Sequence, residues 1–242
     1  MERILSKTNK KIKAAFSLKN KPENEYLVEG FHLVNMAFEA KVLSTVFAIE
    51  DPHLDGVETY LVNEEIIDKL ASTPSPQGIV GVVKRKDGAP LSSDRVLVLD
   101  RLQDPGNIGT LLRNAVAFGF HDVIFIDGTA SPYKEKAIMA TQGAGFYLNY
   151  RFLSPEKAVA ELKEQGYAII GSALRNSQPL EEANLPKGKV ALIVGNEAHG
   201  MSDYLMEQTD INYRIAIETI ESLNAGVAGG ILMYLLSQAS SK

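Results

Sequence analysis

Val96-Leu97-Val98-Leu99-Asp100-Arg101-Leu102-Gln103-Asp104-Pro105-Gly106-Asn107-Ile108-Gly109-Thr110-Leu111-Leu112-Arg113 decides how this chain reads. The first four residues form an unbroken apolar run, the pattern of a strand in a sheet covered on both faces. Asp104-Pro105-Gly106 supplies turn chemistry. Asn107 stands where a helix N-cap belongs, and helical periodicity then runs over 108–118.

The same apolar run recurs at Val123-Ile124-Phe125-Ile126, Ala168-Ile169-Ile170 and Ala191-Leu192-Ile193-Val194. Helical patterns over 134–142, 155–165 and 225–238 alternate with these strands, which predicts an α/β domain with a mostly parallel sheet over 95–242. Upstream lies a second α/β pattern. Apolar residues among lysines predict an amphipathic helix over 4–18. Strands are expected at 26–28, 42–49, 59–62 and 79–83, with helices over 29–40 and 64–70. The stretch from Asp87 through Gly88, Ala89 and Pro90 to Asp94 is polar and rich in Gly, Pro and Ser. It reads as a linker, giving domains 1–86 and 95–242 joined by 87–94.

Composition narrows the chemistry. There is no cysteine among the 242 residues, which removes disulfides, thiolate metal sites and any cysteine nucleophile. His32, His53, His121 and His199 have no ligand spacing, so no metal is expected. The apolar run from Ala225 to Leu236 is too short for a bilayer, which takes about 20 residues. The start carries no secretory pattern, and a cytoplasmic protein is expected. The net charge is −5, but residues 1–21 hold seven cations against one carboxylate, a local +6 that leaves −11 for the rest. A basic arm on an acidic body, with Lys7, Lys10, Lys11 and Lys13, reads equally as a polyanion contact and as a solvated helix face with lysines for solubility.

Three short segments carry the chemistry. In the first, Gly109 lies four residues before Arg113 on one helix face and leaves open ground for an arginine or a ligand. The arginine fork suits a phosphate. The second, Gly195-Asn196-Glu197-Ala198-His199-Gly200-Met201, is a turn between two glycines. It is neither a P-loop nor a dinucleotide fingerprint. The third is Ser222-Leu223-Asn224 before a helix with glycines at 226, 229 and 230. Those glycines share one face, which something must approach closely: a helix, another chain or a cofactor.

Together these segments resemble the three motifs of the SpoU (TrmH-like) family of RNA ribose methyltransferases: Asn-x-Gly-x-x-x-Arg, Gly-x-Glu-x-x-Gly-Met and Ser-Leu-Asn. Asn9-Lys10-Lys11-Ile12-Lys13 and Leu27-Val28-Glu29-Gly30 resemble the family's N-terminal substrate-binding domain, of ribosomal-protein-like α/β/α fold. The resemblance implies a deep trefoil knot in the C-terminal domain, a homodimer with its active site where two subunits meet, and S-adenosylmethionine as cofactor. It implies methyl transfer to a ribose 2′-hydroxyl of RNA, with rRNA the preferred target and tRNA the second. Carried over by motif, Arg113 is the catalytic arginine, with Asn107, Glu197, Ser222 and Asn224 around it. Gly195, Ile215 and Leu223 embrace the cofactor, and the resemblance makes Lys7, Lys10, Lys11 and Lys13 the RNA-binding candidates. Met139, Asn149, Ala216 and Ala225 depart from the family pattern, and Met139 removes one phosphate contact. A competing reading is a non-catalytic RNA-binding or ribosome-assembly factor on the same fold. The intact Asn107, Arg113, Glu197 and Asn224 set speaks against it.

Overall fold

The structure is a computed structural model that describes residues 2–180, 184–219 and 222–239. The chain divides into two compact units, Met1–Arg85 and Lys86–Lys242.

The first unit runs β1 (Glu2–Ile4), α1 (Lys10–Asn20), β2 (Glu25–Glu29), α2 (Phe31–Glu39), β3 (Leu43–Ala48), β4 (Glu58–Val62), α3 (Glu64–Leu70) and β5 (Ile79–Lys84). Its sheet has the order β1-β4-β3-β5-β2, antiparallel where β5 meets β2 and β3, and parallel elsewhere. The helix expected over 4–18 starts later. Asn9 caps it, its side chain accepting from Lys11 N, while Ile4 belongs to β1 and pairs with Val62. Burial of Ile4 comes from the sheet, not from a helix face. Ile12 and Ala15 turn inward from α1 onto Ile66, Ile67 and Phe47.

In the second unit the elements are β6 (Arg95–Asp100), α4 (Pro105–Ala117), β7 (Asp122–Ile126), α5 (Glu135–Thr141), β8 (Asn149–Leu153), α6 (Pro155–Glu164), β9 (Ala168–Ser172), β10 (Gln178–Pro179), β11 (Val190–Gly195), α7 (Asp203–Gln208), β12 (Ile211–Arg214) and α8 (Ala225–Ala239). Seven strands pair in the order β10-β12-β9-β11-β6-β7-β8, every pair parallel. Side chains alternate across this sheet as the two-residue period requires. Val96, Val98, Ile124, Ala191 and Ile193 pack with α6 and α7. Val194, pointing the other way, meets α8 at Gly229. From β6 the chain moves to β7 and β8 on one side, then crosses to β9 and returns to lay β11 against β6. Such a switch point opens a crevice at the carboxyl ends of the strands.

Residues 87–94 are not a free linker. Gly88 N donates to Tyr150 O, Leu91 is buried, and the Ser92 and Ser93 amides donate to Asp122 Oδ2 at 2.8 and 2.7 Å. Turn-forming composition here marks an ordered loop stitched to the second unit.

Candidate active site

The carboxyl ends of β6 and β11 lie in register, Asp100 opposite Gly195. The loops leaving them face residues from 215–217 and 222–225, the latter at the start of α8. Together they line an open cleft of about 1240 Å³. Of the residues singled out from sequence, the structure brings seven to this cleft: Asn107, Gly195, Glu197, Ile215, Ser222, Leu223 and Asn224. Arg113 is not among its lining residues. It is exposed on α4, six residues beyond Asn107, which is about 9 Å of helix rise. It makes no ion pair with another described residue.

Asn107 is not the N-cap. Asp104 is, its side chain accepting from Gly106 N, with Pro105 in the first helical turn. Proline suits that position because its missing N–H has no partner there anyway. Asn107 therefore sits inside the first turn, with its amide free to reach out. Its Nδ2 donates to Glu197 Oε1 at 3.2 Å, and its Oδ1 accepts from Asn224 Nδ2 at 2.8 Å. Asn224 Oδ1 in turn accepts from Gly226 N at 2.9 Å and Val227 N at 3.3 Å, capping α8. All three motifs thus join in one line of hydrogen bonds. Its direction is fixed, because an ionised carboxylate only accepts and a helix N-terminus only donates.

Glu197 also accepts from the backbone of Gln103 at 3.3 Å and Asp104 at 3.2 Å. Burial pushes its carboxyl up, but hydrogen bonds from its own backbone N–H, from Asn107 and from these two amides outweigh that and hold its pKa below the usual value. The neighbouring Asp104 is lowered as well, first by the Gly106 amide and then by Lys136.

Gly109 acts differently from the sequence-based expectation. A Cβ on Gly109 would sit 2.4 Å from Ala140 Cβ and 2.7 Å from Ala137 O. The space beside it is filled by α5, not left open for Arg113. On α8, Cβ atoms at 226, 229 and 230 would press on Thr110, Leu111 and Asn114. Of the three expected occupants of that face, a helix is the one found, and it is α4. Gly195 faces its own loop: a Cβ there would lie 2.3 Å from Met201 N. The loop closes on itself through reciprocal Asn196 and Gly200 backbone bonds of 3.0 and 2.8 Å.

Sequence reasoning missed Asn196 and Asp100. Asn196 Oδ1 accepts from Ala198 N and His199 N, while its Nδ2 donates to Arg101 O at 2.8 Å. A carboxylate closing an otherwise apolar strand was the available signal for Asp100.

The cleft suits an amphipathic nucleoside-sized ligand. Val194, Ile215, Ile217 and Leu223 give apolar walls, and the loop backbones at 195–200 and 222–224 give polar edges. Among the described residues no cluster of three metal-ligating side chains exists.

In the first unit the four lysines divide. Lys7 pairs with Glu65 at 3.1 Å. Lys11 pairs with Glu58 at 3.3 Å and Glu2 at 3.5 Å, and donates to Tyr60. Lys10 and Lys13 are exposed on α1 and pair with no described residue.

Residues 94–234 match the SpoU rRNA Methylase family. Residues 9–81 match the MRM3-like substrate binding domain. The chain is 34% identical to the 23S rRNA (guanosine(2553)-2′-O)-methyltransferase RlmP of Bacillus subtilis (strain 168), over 98% of this chain and 99% of the relative. It is 26% identical to the 23S rRNA (guanosine-2′-O-)-methyltransferase RlmB of Neisseria meningitidis serogroup B (strain ATCC BAA-335 / MC58), over 87% and 94%. In fold it is similar to an rRNA methyltransferase from Sinorhizobium meliloti, with TM-score 0.88 at 24% identity over 98% of this chain and 97% of that one. The AdoMet-bound structure of the S. meliloti rRNA methyltransferase superposes with TM-score 0.87, also at 24% identity, over 98% and 97%.

Proposed function

The chain belongs to the SpoU rRNA methylase family, and from that premise we infer that it transfers a methyl group from S-adenosylmethionine to a ribose 2′-hydroxyl of RNA. Ribosomal RNA is the substrate class, on the strength of full-length similarity to a 23S rRNA 2′-O-methyltransferase; tRNA is the second choice. The observation that carries the reading is the hydrogen-bonded line Glu197–Asn107–Asn224, which ties all three motifs to one cleft.

S-adenosylmethionine supplies an activated methyl on a sulfonium. Gly195, Ile215 and Leu223 would hold it in the cleft. Glu197, Asn107 and Asn224 fix the loop edges, so that binding requires little reorganisation. Ser222 orients a polar group at the rim. Arg113 grips the RNA phosphate and ribose and stabilises charge developing on the attacking oxygen. A guanidinium is donor-only, with no accepting lone pair, so clamping suits Arg113 better than proton abstraction.

A homodimer accounts for the position of Arg113 outside its own cleft. Val227, Ile231 and Tyr234 recur at helical spacing on α8 and are 50%, 36% and 49% exposed. A second copy would cover this stripe, and Arg113 would serve that copy's cleft. The C-terminal domain is proposed to be trefoil-knotted, with 1–86 as substrate-binding domain and Lys10 and Lys13 leading its RNA contact. Lys7 and Lys11, each held by carboxylates, complete the set. Action on rRNA goes with a cytoplasmic location. No helix among the described residues is long and apolar enough to cross a membrane.

The test uses full-length protein, labelled cofactor and rRNA. Arg113→Ala and Glu197→Ala should each abolish transfer. Mixed and re-equilibrated, they should regain about a quarter of wild-type activity, since half the dimers are hybrids with one intact site of two. Wild-type rates in Arg113→Ala would remove the arginine from the mechanism, and no recovery on mixing would refute the shared site. Mapping ribose methylation by mass spectrometry, with and without the gene, identifies the nucleotide.

A further inference from the structure

We propose that Asp100 is a positioning residue that locks the cofactor loop to the loop after β6; the proposal rests on the cofactor reading of the cleft. Asp100 ends β6, is wholly buried and is not itself among the residues that line the cleft. Its two oxygens are spent on two different loops. Oδ1 accepts from Arg101 Nε at 3.0 Å. Oδ2 accepts from Ser202 N at 2.6 Å, immediately after the 195–201 loop and at the N-cap of α7.

The Arg101 side of this clamp is strained. Arg101 has φ +55°, a left-handed conformation that costs a non-glycine residue about 1 kcal/mol or more. That turn aims its carbonyl so that it accepts from Asn196 Nδ2 at 2.8 Å and from Gln103 Nε2 at 3.0 Å. Both donors line the cleft. One buried carboxylate therefore holds the end of the cofactor loop through Ser202. Through Arg101 it holds the carbonyl that anchors the start of that loop.

Asp100→Asn keeps the shape but replaces one acceptor by an NH₂ group. Whichever way the amide turns, one of Arg101 Nε and Ser202 N faces a donor. The loop end or the loop start then comes loose. The dissociation constant for S-adenosylhomocysteine should rise at least about tenfold, as expected for losing a hydrogen bond to a charged group. The KM for S-adenosylmethionine should rise in parallel, and the loss should fall on KM rather than kcat. A residue that merely supports the fold would instead lower Tm and the active fraction, and hence kcat, at unchanged KM.

Titration calorimetry and steady-state kinetics on the full chain decide it. If the wild type fails to bind S-adenosylhomocysteine, the cofactor reading falls. If it binds and Asp100→Asn binds equally well, the positioning role falls. Should Asp100→Asn not fold, Arg101→Gly takes its place: glycine tolerates the left-handed turn, and the guanidinium is gone. A several-fold rise in the same constant supports the clamp, and an unchanged constant overturns it.

Discussion

Replacing Asn107 by aspartate tests the direction of the line from Glu197 to α8. The substitution preserves size and keeps the oxygen that accepts from Asn224 Nδ2 at 2.8 Å. It inverts the other end. Where Nδ2 donates to Glu197 Oε1 at 3.2 Å, two carboxylate oxygens would meet. Losing a hydrogen bond to a charged acceptor costs about 1.5–3 kcal/mol. Two like charges at that distance repel by about 1.3 kcal/mol even in bulk water. Glu197 is exposed, so the water value is the relevant one, and the two side chains can swing apart to shed part of it. A net loss of about 2–3 kcal/mol corresponds to a fall of roughly 30- to 150-fold in kcat/KM for methyl transfer.

The pH dependence separates this cause from a general loss of fit. In the wild type the Glu197 pKa is lowered, so its favourable contribution is complete above the unfolded value and fades as pH falls through the folded one. In the variant the Asn107 donor is gone and a like charge is added, both of which raise the carboxyl pKa. One shared proton then rebuilds a hydrogen bond between the two groups. The variant's deficit should therefore narrow as pH falls from about 8 to about 5. Filter-binding assays with labelled cofactor and rRNA read both numbers. A deficit below twofold at the upper pH, or one that stays constant across the range, would refute the reasoning.

Gly109→Ala should lower stability by about 1–2 kcal/mol. Overpacking against Ala137 and Ala140 costs roughly 1–3 kcal/mol, and alanine's helix propensity returns up to about 1 kcal/mol. Urea unfolding of the full chain checks this, and a stabilised variant would contradict the close approach of α5. Lys10→Glu combined with Lys13→Glu should weaken binding to an rRNA fragment and flatten the salt dependence by about two in slope. Fluorescence anisotropy across a salt series measures it, and an unaltered slope would remove these lysines from the contact.

Much of the second unit was legible because its central strands are buried on both faces. Runs such as 96–99 and 191–194 contain nothing but apolar residues, and their recurrence between helical patterns marks a parallel sheet. The strands that escaped notice lie toward the rims of the sheet. β12 (Ile-Asn-Tyr-Arg) is half polar, and its Asn212 is buried against Gly171. β8 begins with Asn149, whose amide is engaged by Ala89 O and Asp122. At the site, the identity of the converging residues came from motif resemblance. Local physics misjudged two of them. Asp104-Pro105 reads equally as a turn and as a cap with proline in the first turn, and the cap prevails. Gly109 was read as open ground for an arginine or a ligand, although a glycine in a helix more simply admits another helix. The role of Asp100 was missed because its distant partner, the Ser202 amide, is set by tertiary closure across 102 positions of chain.

Asn224 meets Asn107 across 117 residues of sequence, and polypeptides are made from the amino end. The loop after β6 therefore leaves the ribosome long before its counterpart exists. Until α8 has docked on α4, Asn107 has nothing to orient its oxygen, and Glu197 faces an amide free to rotate. Activity waits until translation has passed the third motif. For a catalyst whose substrate class is ribosomal RNA, this ordering acts as a timer, keeping the half-made chain inert on the machine that is still producing it.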